Sequence, residues 1–169
     1  LNIIMKKINF LIKLKKEGKI EIIEPSEEIK ESYIRKSESN IISAKILLEN
    51  NRLEESVGLA YYSMYHLLSA LLFKVGIKSE NHSASIILLK EVFSLDNKKV
   101  SDAKTERIDK QYYVDFAISK EDVKDTIRKA EIFNSKLIDF ISKINNEDIT
   151  NYRKNFMKLL DIKIQNNNE

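Results

Sequence analysis

An all-α fold is predicted for this chain: an antiparallel up-and-down bundle of four to five main helices, with short extra helices at both ends. Three observations carry the prediction. Three glycines and one proline in 169 residues, with 33% charged residues, supply little of the turn chemistry that sheets need. Apolar residues recur at helical spacing between polar breaks along most of the chain. The stretch from Leu59 to Val75, LAYYSMYHLLSALLFKV, is apolar almost all round, and such a helix must be buried on more than one side. In a single domain of this length it is the central helix of the bundle.

Residues 1–25 read as an N-terminal helix and connector. Ile4, Ile8, Leu11 and Ile12 share one face of a helix that ends at Gly18. Lys19 to Pro25 is extended, because the residue before a proline avoids helical geometry. Lys13, Lys15 and Lys16 interrupt the apolar run, so the N-terminus reads as mature protein rather than a signal peptide.

The bundle proper spans residues 26–145. Ser26 caps a long helix whose first turn carries Glu27 and Glu28, both favoured by the helix dipole. Its stripe is Ile29, Tyr33, Ile34, Ile41, Ala44, Leu47 and Leu48. Asn50-Asn51 is a tight turn into the antiparallel central helix, which Gly76 ends. Lys78 to Ser83 is a polar hinge, with Asn81 or Ser83 as cap and His82 exposed, before a helix running to about Phe93. A charged helix follows, about Lys98 to Tyr113, with Val100, Ala103 and Ile108 as its few apolar residues. Ser119 caps the next, with Val123, Ile127, Ala130, Phe133, Leu137 and Phe140 in register. Residues 146–169 are a C-terminal helix, faced by Ile149, Tyr152, Phe156 and Leu159 or Leu160, and a frayed tail.

Composition narrows the function. The chain has no cysteine, which excludes disulfides, thiolate metal sites and cysteine nucleophiles and suits a cytoplasmic setting. Two histidines far apart predict no metal site, and nothing points to a cofactor. No apolar run approaches the roughly 18 residues that span a bilayer, so no membrane partner is expected. A net charge of +3 with mixed signs does not by itself argue for nucleic acid.

Two lines run along the central helix. Val57, Tyr61, Met64, Leu68 and Leu71 are core. Gly58, Tyr62, Tyr65, His66 and Ser69 form a semi-polar line: packed polar tips, or the wall of a dimer seam or pocket. The polar hinge offers Lys78 and His82 as phosphate contacts, against simple capping. In RIDKQYY, Arg107 is a phosphate fork and Tyr112 and Tyr113 can stack on a base, against ion pairing and packing. Five helical steps turn about 140° past a full revolution. Arg107 and Tyr112 therefore act together only if the helix ends between them or a partner chain completes the site.

These pieces in this order resemble a HEPN domain, of the small prokaryotic branch found beside minimal nucleotidyltransferases. Ala60-Tyr61-Tyr62-Ser63-Met64-Tyr65-His66 matches the branch's Ala-Tyr-Tyr-x-Met-Phe/Tyr-His signature. The Gly76-Ile77-Lys78 turn, His82-Ser83, and Arg107 leading into Tyr112 follow in the expected order, and LKKEGKIEIIEP resembles archaeal members. The resemblance covers roughly Ser26 to Ile141. It implies a homodimer that binds a nucleotide or RNA through Arg107, Tyr112, Tyr113, Lys78 and His82. A minimal nucleotidyltransferase is its implied partner in a toxin–antitoxin-like pair, with Tyr112 or Tyr113 open to modification by AMP. In ribonuclease members an Arg and a His separated by four to six residues meet at the dimer cleft. This chain keeps Arg107 but holds Tyr112 at the histidine's place, and a phenol near pKa 10 is a poor general base. A binding role is therefore favoured. The alternatives are a metal-independent endoribonuclease using Arg107, Tyr112 and His66, and a non-enzymatic structural dimer.

Overall fold

The computed structural model describes the backbone of residues 2–112 and 117–165, and the side chains of residues 3–109 and 117–161. Seven helices and two short strands lie among them: α1 (Asn2–Lys16), β1 (Ile20–Ile22), α2 (Glu27–Glu49), α3 (Leu53–Val75), β2 (Ile77–Ser79), α4 (His82–Glu91), α5 (Lys98–Tyr112), α6 (Lys120–Lys143) and α7 (Asn146–Gln165). The expected all-α bundle is what forms.

Local chemistry sets the boundaries. Ser26 Oγ accepts the Ile29 N–H at 3.2 Å and opens α2. Asn51, at φ 59°, turns the chain so that α3 returns antiparallel along α2. Gly76, at φ 75°, ends α3 in left-handed geometry. Ser119 and Asp122 cap α6 reciprocally: Ser119 Oγ accepts from Asp122 N–H at 3.1 Å, and Asp122 Oδ2 accepts from Ser119 N–H at 3.0 Å.

Helix α3 is the axis, packed by α2, α4, α5, α6 and α7. Val57, Tyr61, Met64, Leu68 and Leu71 are all buried. Serines replace bulk where helices approach closely. Ser37 Oγ donates to the Ser63 carbonyl at 2.6 Å, and Ser56 Oγ donates to the Ala44 carbonyl at 2.7 Å. By length and composition α3 is apolar enough to cross a membrane, which counting unbroken apolar runs overlooked. In this fold 78% of its 18-residue window is buried inside the bundle.

Three expectations need correction. The connector and hinge pair as a two-stranded antiparallel clip, Ile20 opposite Ser79 and Ile22 opposite Ile77. Arg153 of α7 fastens it, its Nη1 donating to the carbonyls of Ile23, Val75 and Gly76 at 2.7, 3.1 and 3.1 Å. Ile4 and Ile29, placed on apolar faces by periodicity, are 54% and 39% exposed, each in the first turn of its helix. His82 is half-buried rather than exposed, since Asn81 Oδ1 takes the capping bond to Ala84 N–H and His82 turns inward to Tyr61.

Candidate functional site

Aromatic and basic side chains from α3, α4 and α5 converge at one corner of the bundle. Residues four apart on α3 share a face, so Tyr61 and Tyr65 stack in parallel with centroids 6.2 Å apart. Asn81 starts α4 one residue before His82, which places that imidazole on Tyr65, 3.7 Å centroid to centroid and 19° from parallel. Tyr62 lies perpendicular to the same imidazole, with centroids 6.1 Å apart. From α5, the Arg107 guanidinium lies 5.3 Å from the Tyr61 ring and 5.4 Å from the Tyr62 ring, and Nη1 donates to the Tyr62 hydroxyl at 3.3 Å. Such positions let the cation sit against the negative faces of the rings. Lys104, one turn earlier, donates from Nζ to Ser83 Oγ at 2.6 Å, tying α5 to α4.

Protonation follows from burial. Desolvation pushes the Tyr61 phenol well above its ordinary pKa, so it stays protonated. Its hydroxyl lies 2.7 Å from His82 Nδ1, and a buried phenol with that neighbour donates to it. The proton of a neutral His82 is then on Nε2. Burial first, and then the charges of Arg107 and Lys104, hold His82 below its usual range. His66 is also held low, by burial and by Lys36. The Asn40 amide donates to His66 Nδ1 at 3.0 Å, so His66 too carries its proton on Nε2. Both imidazoles are thus held toward their uncharged form, His82 with the Arg107 and Lys104 side chains nearby.

A second feature shares a wall with this corner. Tyr33, Tyr65, Ser69, Leu72, Phe73, Lys78, Ser79 and Glu80 line a cleft of about 300 Å³ between α2, α3 and β2. Tyr33 and Phe73 stack at 5.4 Å and 15°. Lys78 pairs with Glu21 at 3.1 Å and Glu80 at 2.9 Å at the rim.

The predicted residues therefore divide. Arg107 and His82 meet at the corner, whereas Lys78 joins Tyr65 and Ser69 at the cleft. Tyr62 and His66 are neighbours, with centroids 5.9 Å apart. Gly58 is buried and lines neither feature. Tyr113 and the Tyr112 side chain lie outside the described residues. Helix α5 is unbroken through position 112, so the condition that it end between Arg107 and Tyr112 is not met. Tyr61, read as plain core, in fact orients His82. Tyr33, Phe73 and Lys104 were missed. Only the spacing of Lys104 and Arg107, one turn apart, marked any of them in advance.

The model of the HEPN domain family matches residues 30–158 of the chain. The chain belongs to the HEPN family. A UPF0332 protein of Thermotoga maritima is 31% identical over 63% of this chain and 86% of its own length. Its counterpart in Archaeoglobus fulgidus is 31% identical over 67% and 95%. UPF0332 protein PH1297 of Pyrococcus horikoshii is 45% identical over 56 residues, which span 39% of that relative. In this HEPN chain the match contains all of α3, α4 and α5, the helices that build the corner.

Proposed function

We propose that this HEPN protein pairs with a second copy of itself and binds a nucleotide or RNA phosphate at the Arg107 corner. It does so as the partner of a minimal nucleotidyltransferase in a toxin–antitoxin-like system of the cytoplasm. One observation carries the reading: Arg107 and Lys104 flank a half-buried His82 whose Nδ1 accepts from Tyr61, which leaves its proton on Nε2 as a donor. Two basic side chains and a neutral N–H donor suit a phosphate, and the Tyr61 and Tyr62 rings hold the guanidinium in place. Pairing of two chains would bring two such corners to one groove and answer the separation of Arg107 and Tyr112 around α5. Tyr112 and Tyr113 are the proposed acceptors for AMP.

Light scattering on the purified chain is expected to give twice its 19.7 kDa mass. Calorimetry is expected to show binding of ATP or a short RNA that weakens with salt and is lost in Arg107→Ala. A monomer, or a chain binding neither those ligands nor an adjacent nucleotidyltransferase, would end the proposal.

The endoribonuclease alternative has one observation in its favour: α4 returns an imidazole to Arg107 that the motif itself lacks. It requires His82, rather than the Tyr112 or His66 first considered, to shuttle the proton. Metal-free RNA cleavage lost equally in Arg107→Ala and His82→Gln would establish it. Cleavage that survives either change would exclude it.

A further inference from the structure

The cleft beside the Arg107 corner has the make-up of a base pocket. Its volume of about 300 Å³ lies at the lower end of small-molecule sites. Aromatic rings from two helices, Tyr33 on α2 and Tyr65 and Phe73 on α3, supply the apolar lining, with Leu72 between them. Lys78 and Glu80, both on or next to β2, place a donor and an acceptor at the rim, where the edge of a bound ring would need them. The serines are already committed as donors: Ser69 Oγ to the Tyr65 carbonyl at 3.0 Å, and Ser79 Oγ to the Asn81 carbonyl at 3.3 Å. Ser79 Oγ also accepts from Ser85 Oγ at 2.9 Å, so each serine keeps a lone pair for accepting.

The position of the cleft matters as much as its lining. Tyr65 is a wall of the cleft and also the ring on which His82 stacks, while Tyr61, the next ring along α3, carries Arg107. A ligand with a planar aromatic part and an anionic part would meet both features around one side chain.

We infer that this cleft receives the base of a nucleoside phosphate whose phosphate lies at Arg107. The inference rests on the phosphate reading of that corner and adds the base site. The base can belong to a free nucleotide or to a strand of RNA, since the stacking and edge contacts are the same.

The test compares AMP, UMP, ribose 5-phosphate and eight-residue oligoadenylate and oligouridylate on the full chain by calorimetry. At least one nucleotide or oligonucleotide is expected to bind about tenfold or more tighter than ribose 5-phosphate, as stacking of a base allows. Tyr33→Leu, which keeps apolar bulk and removes the ring, is expected to erase that advantage and leave ribose 5-phosphate binding within about twofold. Lys78→Ala, at the rim, is expected to erode it partly. Arg107→Ala is expected to weaken every ligand. An effect of Tyr33→Leu on mononucleotides assigns the cleft to free nucleotide, and an effect on oligonucleotides alone assigns it to RNA. Equal affinity with and without a base, or wild-type nucleotide affinity in both Tyr33→Leu and Lys78→Ala, overturns the base site while leaving the phosphate site standing. No binding of any of the five probes overturns both.

Discussion

Tyr61 has no exposed surface, yet its hydroxyl must find a partner, because an unpaired buried phenol would cost roughly 1–3 kcal/mol. His82 provides that partner from 21 residues away, and the bond sets the tautomer on which any use of the imidazole depends. Both histidines are held below the ordinary 6.5, so the folded chain takes up protons less readily than the unfolded one. Stability is then flat above the ordinary imidazole pKa and lost as pH falls through it toward the lower folded-state values. Arg107, Lys104 and His66 are the groups that repel a proton on His82, and Lys36 does so for His66. The urea midpoint is expected to be lower at pH 5.5 than at 7.5, and the gap is expected to narrow in the His66→Gln, His82→Gln double variant. An unchanged gap would mean the two imidazoles titrate normally. Gly76 shows a residue chosen for space as well as angle. At φ 75° an added Cβ would collide with the Arg153 guanidinium and the Ile23 carbonyl and reach Pro25 Cδ at 3.0 Å. Gly76→Ala is expected to cost about 2–4 kcal/mol in denaturant unfolding, more than left-handed strain alone explains.

Among elements, α5 is attached differently from the rest. Among its described residues Val100 and Ala103 are the buried apolar ones, and polar links add to the attachment: Thr126 Oγ1 to the Glu106 carboxylate at 3.0 and 3.1 Å, Lys104 to Ser83, and Arg107 to Tyr62. The helix bearing Arg107 is therefore docked largely through hydrogen bonds that solvent can compete for. Thr126→Val is expected to speed hydrogen exchange along α5 while the amides of α3 stay protected. Equal acceleration in both would show that α5 opens only with the whole fold. Its neighbour α6 depends on its cap. Ser119→Ala removes one half of the reciprocal pair and is expected to cost about 1 kcal/mol, with Ser119→Asp restoring most of it. A thermal scan lowered by about 2–4 °C in the first variant alone checks this.

On the scale of the whole molecule, α3 carries the load that sheets share in other folds. Leu68 is fully buried on it, and Leu68→Ala is expected to cost about 2–5 kcal/mol through the cavity it leaves. A smaller loss would mean that the surrounding helices close in. Helix number, order and most caps were readable in advance, since each rests on residues within a few positions of one another: Ser26 with Ile29, Ser119 with Asp122, Asn51 and Gly76 at their turns. The strands escaped notice because three residues pairing with three others 55 to 59 positions away leave no local period. The corner was half legible. Arg107, His82 and the tyrosines of α3 stood out by residue type, but their grouping did not. What the chain's own order of residues settles is an all-α bundle around one apolar helix, because helical hydrogen bonds and caps are local. Which imidazole meets Arg107, that Lys78 belongs to a separate cleft, and that Tyr33 and Phe73 line it were decided by packing between helices, which brings together side chains that nothing local relates.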